Sequence, residues 1–244
     1  MSKINVLVNG ANGKMGQLIV KTLDQHPEFN LVSQTGKNHD LASEIKKSNA
    51  NVVVDVTNAE CVLNNLEIII DAGAHPVIGT SGLIENQVRP FQDRCAKLKL
   101  GGIIAPNFSL GAVLMMKYAQ DMAAYFPQVE IIEMHHDGKL DSPSGTAVRT
   151  AELLAKSRKK ICANKSEKET LPHARGAVFE DIHIHAIRLP GIVAQQQIIF
   201  GGTGETLTLR HDAIDRQCFM PGVVLACQKV MGLDHLVYGL EGIL

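Results

Sequence analysis

In roughly the first hundred residues, short unbroken apolar runs alternate with segments whose apolar positions recur at helical spacing. Ile4 to Asn9 is β-branched and apolar and predicts a strand. Gly10-Ala-Asn-Gly-Lys-Met-Gly16 follows it. Gln17 to Gln25 then sets Leu18, Ile19, Thr22 and Leu23 at helical spacing, and Pro27 ends the segment. Phe29 to Gln34 predicts a second strand, Leu41 to Lys47 a short helix, and Asn51 to Val56 a third strand. A helix over Cys61 to Ala72 and a strand over Pro76 to Gly79 come next. A helix over Ile84 to Lys97, in which Pro90 predicts a break or kink, and a strand over Leu100 to Ala105 complete the series. Apolar strands separated by helices are the mark of a parallel sheet covered on both faces.

After Asn107 the pattern changes. Gly111 to Ala124 predicts a long helix, Val129 to Ile132 a strand, and Thr146 to about Ser157 a helix. A polar, loop-like stretch reaches about Ala174. Val178 to Arg188, Ala194 to Phe200 and Thr206 to His211 alternate and predict three antiparallel strands. Val223 to Met231 is helical again. The fold class is therefore α/β. A Rossmann-like dinucleotide-binding domain takes residues 1–107 and 216–244, and an α+β domain with an open mixed sheet takes 108–215. A cofactor and a substrate are expected to meet in a cleft between two such domains. Hinge crossings are expected at Asn107–Ser109 and Arg216–Pro221.

Composition narrows the partners. The chain has 244 residues, is 45% hydrophobic and 20% charged, and carries a formal net charge of −1. That supports a packed core and argues against broad electrostatic capture of nucleic acid. The densest basic stretch, Lys156 to Lys168, reads as a solvated face. Five cysteines, an odd number without CxxC spacing, read as reduced thiols packed as small apolar groups. No apolar run is long enough to cross a bilayer and no signal-peptide pattern is seen. A cytoplasmic protein that binds neither membrane nor nucleic acid is expected.

Two motifs carry candidate chemistry. Gly10, Gly13 and Gly16 sit between the first strand and the first helix, in the place of a dinucleotide fingerprint. Their GxxGxxG spacing has one residue more than GxGxxG. Glycines let backbone approach a pyrophosphate, and the helix N-terminus supplies N–H groups. The end of the second strand, Gln34-Thr-Gly-Lys-Asn-His39, lacks the acidic residue that NAD fingerprints place there. Lys37 can meet a 2′-phosphate, which points to NADPH over NADH with use of both left open.

The second motif, Glu133-Met-His-His-Asp-Gly-Lys-Leu-Asp-Ser-Pro-Ser-Gly-Thr-Ala147, follows a predicted strand. Imidazoles move protons near neutrality, a lysine offers a cation or a proton, and a Ser-Gly-Thr turn at a helix start suits an anion. His135, His136 and Asp141 also suggest metal ligands. However, adjacent histidines at a strand end face opposite ways, and no third His or Cys has supporting spacing. His183 and His185 share one strand face but nothing ties them to this pair. Acid–base chemistry on an anionic small molecule, without a metal, is the expectation.

The second motif matches E-x-HH-xx-K-x-D-xPSGTA, and with it the chain resembles the dihydrodipicolinate reductase (4-hydroxy-tetrahydrodipicolinate reductase) family over nearly its whole length. The GANGKMG loop, Asp55-Val-Thr57, Gly79-Thr-Ser-Gly82, Ala105-Pro-Asn-Phe-Ser109 and Ile187 to Phe200 add to the match. The resemblance implies NAD(P)H-dependent reduction of a small heterocyclic dicarboxylate, 4-hydroxy-tetrahydrodipicolinate, to tetrahydrodipicolinate in lysine and diaminopimelate biosynthesis. It implies His135 and Lys139 as the acid–base pair, and His136, Ser144, Gly145 and Thr146 at the substrate carboxylates, with Ser144 ordering the turn. Cofactor contacts are implied for Gly10, Ala11, Asn12, Gly13, Lys14, Met15, Gly79, Thr80, Ser81, Ala105, Pro106, Asn107 and Phe108, with Lys37 added by the strand-two reading. A homotetramer through the second domain's sheet is implied as well. Gln195-Gln-Gln197 departs from the family, whose members often carry a histidine there. A nucleotide-binding protein without turnover is the alternative, and the intact His135, His136, Lys139 and Ser-Gly-Thr set opposes it.

Overall fold

The chain divides into two units, Met1–Leu110 with Gln217–Leu244, and Gly111–Arg216. The structure is a computed structural model, and it describes residues 3–80, 83, 85–159 and 168–244. Ser81, expected at the cofactor, lies outside the described residues, as do Gly82, Cys162 and residues 160–167 of the basic stretch.

Unit 1 opens with β1 (Ile4–Asn9), α1 (Lys14–Gln25), β2 (Phe29–Thr35), α2 (Leu41–Ser48) and β3 (Val52–Asp55). It continues with α3 (Val62–Asp71), β4 (His75–Ile78), α4 (Glu85–Leu98) and β5 (Gly102–Ile104). Helix α1 begins at Lys14, ahead of the predicted Gln17, because it starts directly from the N-cap Gly13. Ile19 and Leu23, one turn apart, are its buried stripe. In α4 the helix continues through Pro90. Pro90 lies in the second turn, so a single backbone bond, to Asn86, is forfeited there.

Unit 2 comprises α5 (Leu110–Ala123), β6 (Gln128–His135), α6 (Gly145–Ser157), β7 (Ala177–Phe179), β8 (Ile182–Arg188), β9 (Ala194–Gly202) and β10 (Glu205–Ala213); Leu110, the first residue of α5, is counted with unit 1. Its sheet runs β10-β9-β6-β8-β7. Two expectations change. First, β6 extends beyond Ile132 to His135, so Glu133 and His135 are strand residues. The ladder continues there, pairing His135 with Arg188 on one side and Ala194 on the other. Second, Val178 to Arg188 is two strands joined at Glu180 and Asp181, whose φ values are 46° and 63°. The sheet is mixed, as expected: β6 and β8 pair in parallel and its other pairings are antiparallel. Helices α5 and α6 cover one face through Met115, Ala119, Ala123, Ala147, Ala151 and Leu154, packed on Val129, Ile131, Ile184, Ile198 and Phe200. On the opposite face Ile132, Met134, Ile187 and Ile199 are only half-buried within the unit.

The chain then returns to unit 1 with α7 (Met220–Lys229) and β11 (Leu236–Tyr238). The six-stranded sheet reads β11-β5-β4-β3-β1-β2, and all its pairings are parallel. One apolar layer joins Leu7, Val53, Ile78 and Ile104 to α2, α3 and α4 residues such as Ile45, Leu66 and Val88. Helices α1 and α7 pack together. Cys95 and Cys227 are buried, which pushes their thiols up to about 11 and about 12, whereas Cys61 and Cys218 are half-buried.

Candidate active site

Strand β1 leads through α1 to β2 on one side, while β3, β4 and β5 follow on the other. The crevice at the carboxyl ends of β1 and β3 is thus a switch point, where parallel sheets take ligands. The glycine loop lies there. Gly10 has φ +86°, and a Cβ on it would stand 2.7 Å from the Val56 carbonyl oxygen. A Cβ on Gly16 would meet the Ala11 Cα at 2.7 Å. These two glycines hold the loop close against the start of α1. No side chain caps α1, and its first turn has no acidic residue. Asn12, Gly13 and Lys14 are exposed, Met15 is half-buried and Ala11 is buried. An uncapped, positively polarised helix end beside exposed backbone is a fit for a dinucleotide's phosphates.

The neighbouring loops close around the same edge. Gly79 follows β4, and a Cβ there would run into the Phe108 ring. Ala105 and Phe108 are buried, Pro106 is exposed, and Asn107 Oδ1 accepts from the Ser109 amide at 2.8 Å. Lys37 is exposed beyond β2. Asp40, the nearest acid, caps α2. Its carboxylate accepts from the Ser43 amide at 3.3 Å and hydroxyl at 2.6 Å, and those bonds hold its pKa below the usual value.

Beneath these loops lies a fully buried carboxylate. Asp55 Oδ2 accepts from Asn9 Nδ2 at 2.7 Å and Asn65 Nδ2 at 2.8 Å. Its Oδ1 accepts from the hydroxyls of Thr57 at 2.7 Å and Thr80 at 2.9 Å and from the Thr57 amide at 3.2 Å. Thr35 in turn donates to Asn9 Oδ1 at 2.9 Å. One anion therefore ties the ends of β1, β2, β3 and β4 together through neutral donors.

In unit 2 the long polar motif spans the end of β6 to the start of α6. Glu133 is fully buried. Its Oε2 lies 2.6 Å from His135 Nδ1 and accepts from Arg188 Nη1 at 2.8 Å. Its Oε1 accepts from Arg188 Nη2 at 2.8 Å and from the Ser144 amide at 3.0 Å. Burial pushes this carboxyl up, but bonds with His135, Arg188 and the Ser144 amide outweigh burial and hold it at about 2. Arg188 is raised in turn, chiefly by Glu133, and its Nη2 also donates to the Asp141 carbonyl at 2.7 Å. Lys139 Nζ, half-buried, stands 2.7 Å from Asp141 Oδ1. The Lys139 amide donates to the His136 carbonyl at 3.1 Å, which tightens the turn.

Ser144 is the N-cap of α6. Its hydroxyl accepts from the Ala147 amide at 3.2 Å, so the side chain faces the helix and is buried. Gly145 is exposed, and a Cβ there would meet open space, while Thr146 is half-buried. The structure thus brings His135, His136, Lys139 and the Ser144–Thr146 turn together in one unit, and the glycine loop, Gly79–Thr80 and Ala105–Phe108 together in the other. Among the described residues no group of three or more His, Cys, Asp or Glu is arranged to hold a metal ion.

Family profiles match both parts of the chain: "Dihydrodipicolinate reductase, N-terminus" over residues 4–108 and "Dihydrodipicolinate reductase, C-terminus" over residues 111–244. The chain belongs to the dihydrodipicolinate reductase family. It is 53% identical over 242 residues to a 4-hydroxy-tetrahydrodipicolinate reductase of Legionella pneumophila (strain Paris), covering 99% of this chain and 100% of that protein. It is 52% identical to one of Coxiella burnetii (strain Dugway 5J108-111), covering 99% of each. A solved structure, dipicolinate-bound dihydrodipicolinate reductase from Paenisporosarcina sp. TG-14, aligns with TM-score 0.88 at 43% identity, over 99% of this chain and 100% of that one.

Within this dihydrodipicolinate reductase fold, sequence reasoning missed Arg188 and the linking positions of Glu133 and Asp55. A signal was present in the strand parity. Ile182, Ile184, Ala186 and Arg188 share one face of β8, and Val129, Ile131, Glu133 and His135 one face of β6. A charge at the core parity of a strand end needs a partner there. Gln196, opposite Glu133 on β9, sits on that same face and donates to Thr150 Oγ1 at 2.7 Å.

Proposed function

We propose that the protein reduces 4-hydroxy-tetrahydrodipicolinate to tetrahydrodipicolinate with NADPH or NADH, in lysine and diaminopimelate biosynthesis. One observation carries the reading. A half-buried imidazole held by an ionised carboxylate stands in the same short motif as Lys139 and the N-terminus of α6. The dipicolinate-bound relative from Paenisporosarcina supports it, because dipicolinate is a planar heterocycle with two carboxylates. Bound reduced nicotinamide would supply the hydride.

The rest falls to the chain's own residues. The amides of Gly145 and Thr146 and the ring of His136 receive the substrate carboxylates, and Ser144 orders that turn as the helix cap. His135, paired with Lys139 of the same motif in acid–base work, delivers the proton to the ring carbon that becomes electron-rich. In unit 1, Gly10 to Met15 take the pyrophosphate, while Gly79, Thr80 and Ala105 to Phe108 flank the nicotinamide side; Ser81, which the family resemblance adds to them, lies outside the described residues. Lys37 faces the ribose and favours a 2′-phosphate. Copies assemble as a homotetramer through the half-buried sheet face of unit 2, in the cytoplasm. Among the described residues no helix is long and apolar enough to cross a membrane.

The test is an absorbance assay of the reduced nicotinamide with freshly prepared 4-hydroxy-tetrahydrodipicolinate. Turnover with at least one of the two cofactors is expected, and none with either refutes the proposal. His135→Gln should lower kcat by about 10²–10⁴ while NAD(P)H still binds. Lys37→Ala should weaken NADPH relative to NADH by roughly fivefold, as a charge contact worth about 1 kcal/mol implies.

A further inference from the structure

The proton donor of the proposed reaction is a histidine, and a histidine offers two nitrogens with different roles. Which nitrogen carries the proton at rest is decided by the partner of the other. Here Nδ1 of His135 stands 2.6 Å from Glu133 Oε2. Glu133 is fully buried, and its two oxygens already accept from Arg188 Nη1, Arg188 Nη2 and the Ser144 amide. A carboxylate receiving three N–H donors is ionised and can only accept. The hydrogen between it and His135 therefore belongs to Nδ1. That leaves Nε2 as the nitrogen able to exchange a proton with a ligand.

We propose that Glu133 is a positioning residue that fixes His135 as the Nδ1–H tautomer and sets it in register with the anion-binding turn of α6, with Arg188 holding Glu133 in place. The inference rests on the function proposed above and deepens it. The register follows from the two oxygens being divided. Oε2 is shared between His135 and Arg188, and Oε1 between Ser144 and Arg188. Any shift of the carboxylate moves the imidazole and the helix cap together. Arg188 is well placed to prevent such a shift. It is paired with His135 in the β6–β8 ladder, grips both oxygens of Glu133, and donates to the carbonyl of Asp141 in the intervening loop. The carboxylate, the loop and the helix start thus share one cation.

Bound reduced nicotinamide would supply a hydride and be oxidised by two electrons; the substrate ring takes that hydride and one proton at adjacent carbons and loses its 4-hydroxyl as water, so that atoms and electrons balance. The proton leaves Nε2 of the imidazolium, whose N–H electron pair stays on nitrogen. The ring left behind is the neutral Nδ1–H tautomer that Glu133 favours. The same ring can then regain a proton at Nε2 without turning over.

Glu133→Gln alone strands the Arg188 guanidinium, so the informative protein is the double variant Glu133→Leu/Arg188→Met. It replaces a buried ion pair by apolar groups of similar size, a change that is often neutral for stability. The full-length protein is labelled with ¹⁵N-histidine and its imidazole nitrogens are read by long-range ¹H–¹⁵N correlation, with His135→Gln assigning the signal. In the parent, neutral His135 should carry its proton on Nδ1. In the double variant it should move to the Nε2–H form that free imidazoles prefer. kcat should fall at least about tenfold, pyridine-2,6-dicarboxylate should bind several-fold more weakly, and NAD(P)H affinity should hold. An unchanged tautomer overturns the inference even if kcat falls, because the loss would then be merely structural. A changed tautomer with parental kcat overturns it equally. If His135→Gln itself keeps full turnover, the proton-donor reading fails, and the nitrogen spectrum still reports separately on Glu133.

Discussion

Glu133 gives a stability prediction whose size can be worked from its surroundings. Its carboxyl is held at about 2 against an ordinary value of 4.5, because bonds with His135, Arg188 and the Ser144 amide outweigh the burial that pushes it up. The folded pKa is below the unfolded one, so the unfolded chain binds more protons as the solution is acidified. The stabilisation is complete above about pH 4.5 and is lost as pH falls from there toward 2. A depression of about 2.5 units corresponds to about 3 kcal/mol at 1.36 kcal/mol per unit. Urea denaturation at several pH values, comparing the parent with Glu133→Leu/Arg188→Met, isolates this contribution. The parent should lose about 3 kcal/mol more than the double variant between pH 5 and pH 2. A ¹³C-detected titration of the Glu133 carboxyl in the folded protein gives a direct reading. A midpoint near 4.5, or parallel stability curves for the two proteins, would refute the reasoning.

Two further predictions concern unit 1. Gly16→Ala puts a methyl 2.7 Å from the Ala11 Cα and 2.8 Å from its carbonyl carbon, both backbone atoms that cannot swing aside. It should cost about 1–3 kcal/mol of stability and weaken NADPH in a fluorescence titration, and parental affinity would show that the loop geometry does not govern binding. Asp55→Ala leaves Asn9, Asn65, Thr57 and Thr80 without their shared acceptor. About 3–5 kcal/mol should be lost, seen as a large drop in Tm, and an unchanged Tm would mean that the network is dispensable.

The alternation of apolar strands and amphipathic helices was legible because it depends on local spacing alone. The parallel sheet of unit 1 follows from that spacing. Places where the sequence misled share a physical cause. Glu133 and His135 look like loop residues when polarity is counted residue by residue, but Arg188, distant in sequence, supplies the partner that lets β6 continue. The turn at Glu180 and Asp181 has positive φ at both residues, and Asp181 is its one turn-favouring residue, so the glycine or asparagine that marks such a hairpin is missing. Strand β11 is three residues long and owes its existence to the open edge of β5, not to any periodicity of its own. The motif residues around His135 were legible by chemical type, whereas the hydrogen-bond order among them required the register of β6 against β8.

The order of segments along the chain bears on how the molecule is made. Residues up to Leu110 form most of unit 1, all of Gly111–Arg216 comes next, and only then do α7 and β11 appear. Until Leu236–Tyr238 emerge from the ribosome, β5 has an unpaired edge and α1 lacks its neighbour α7. A bare, apolar edge is a template for pairing with other chains. The first-made unit is thus the last to be finished, and aggregation of nascent chains should be greatest in the interval while unit 2 is being translated.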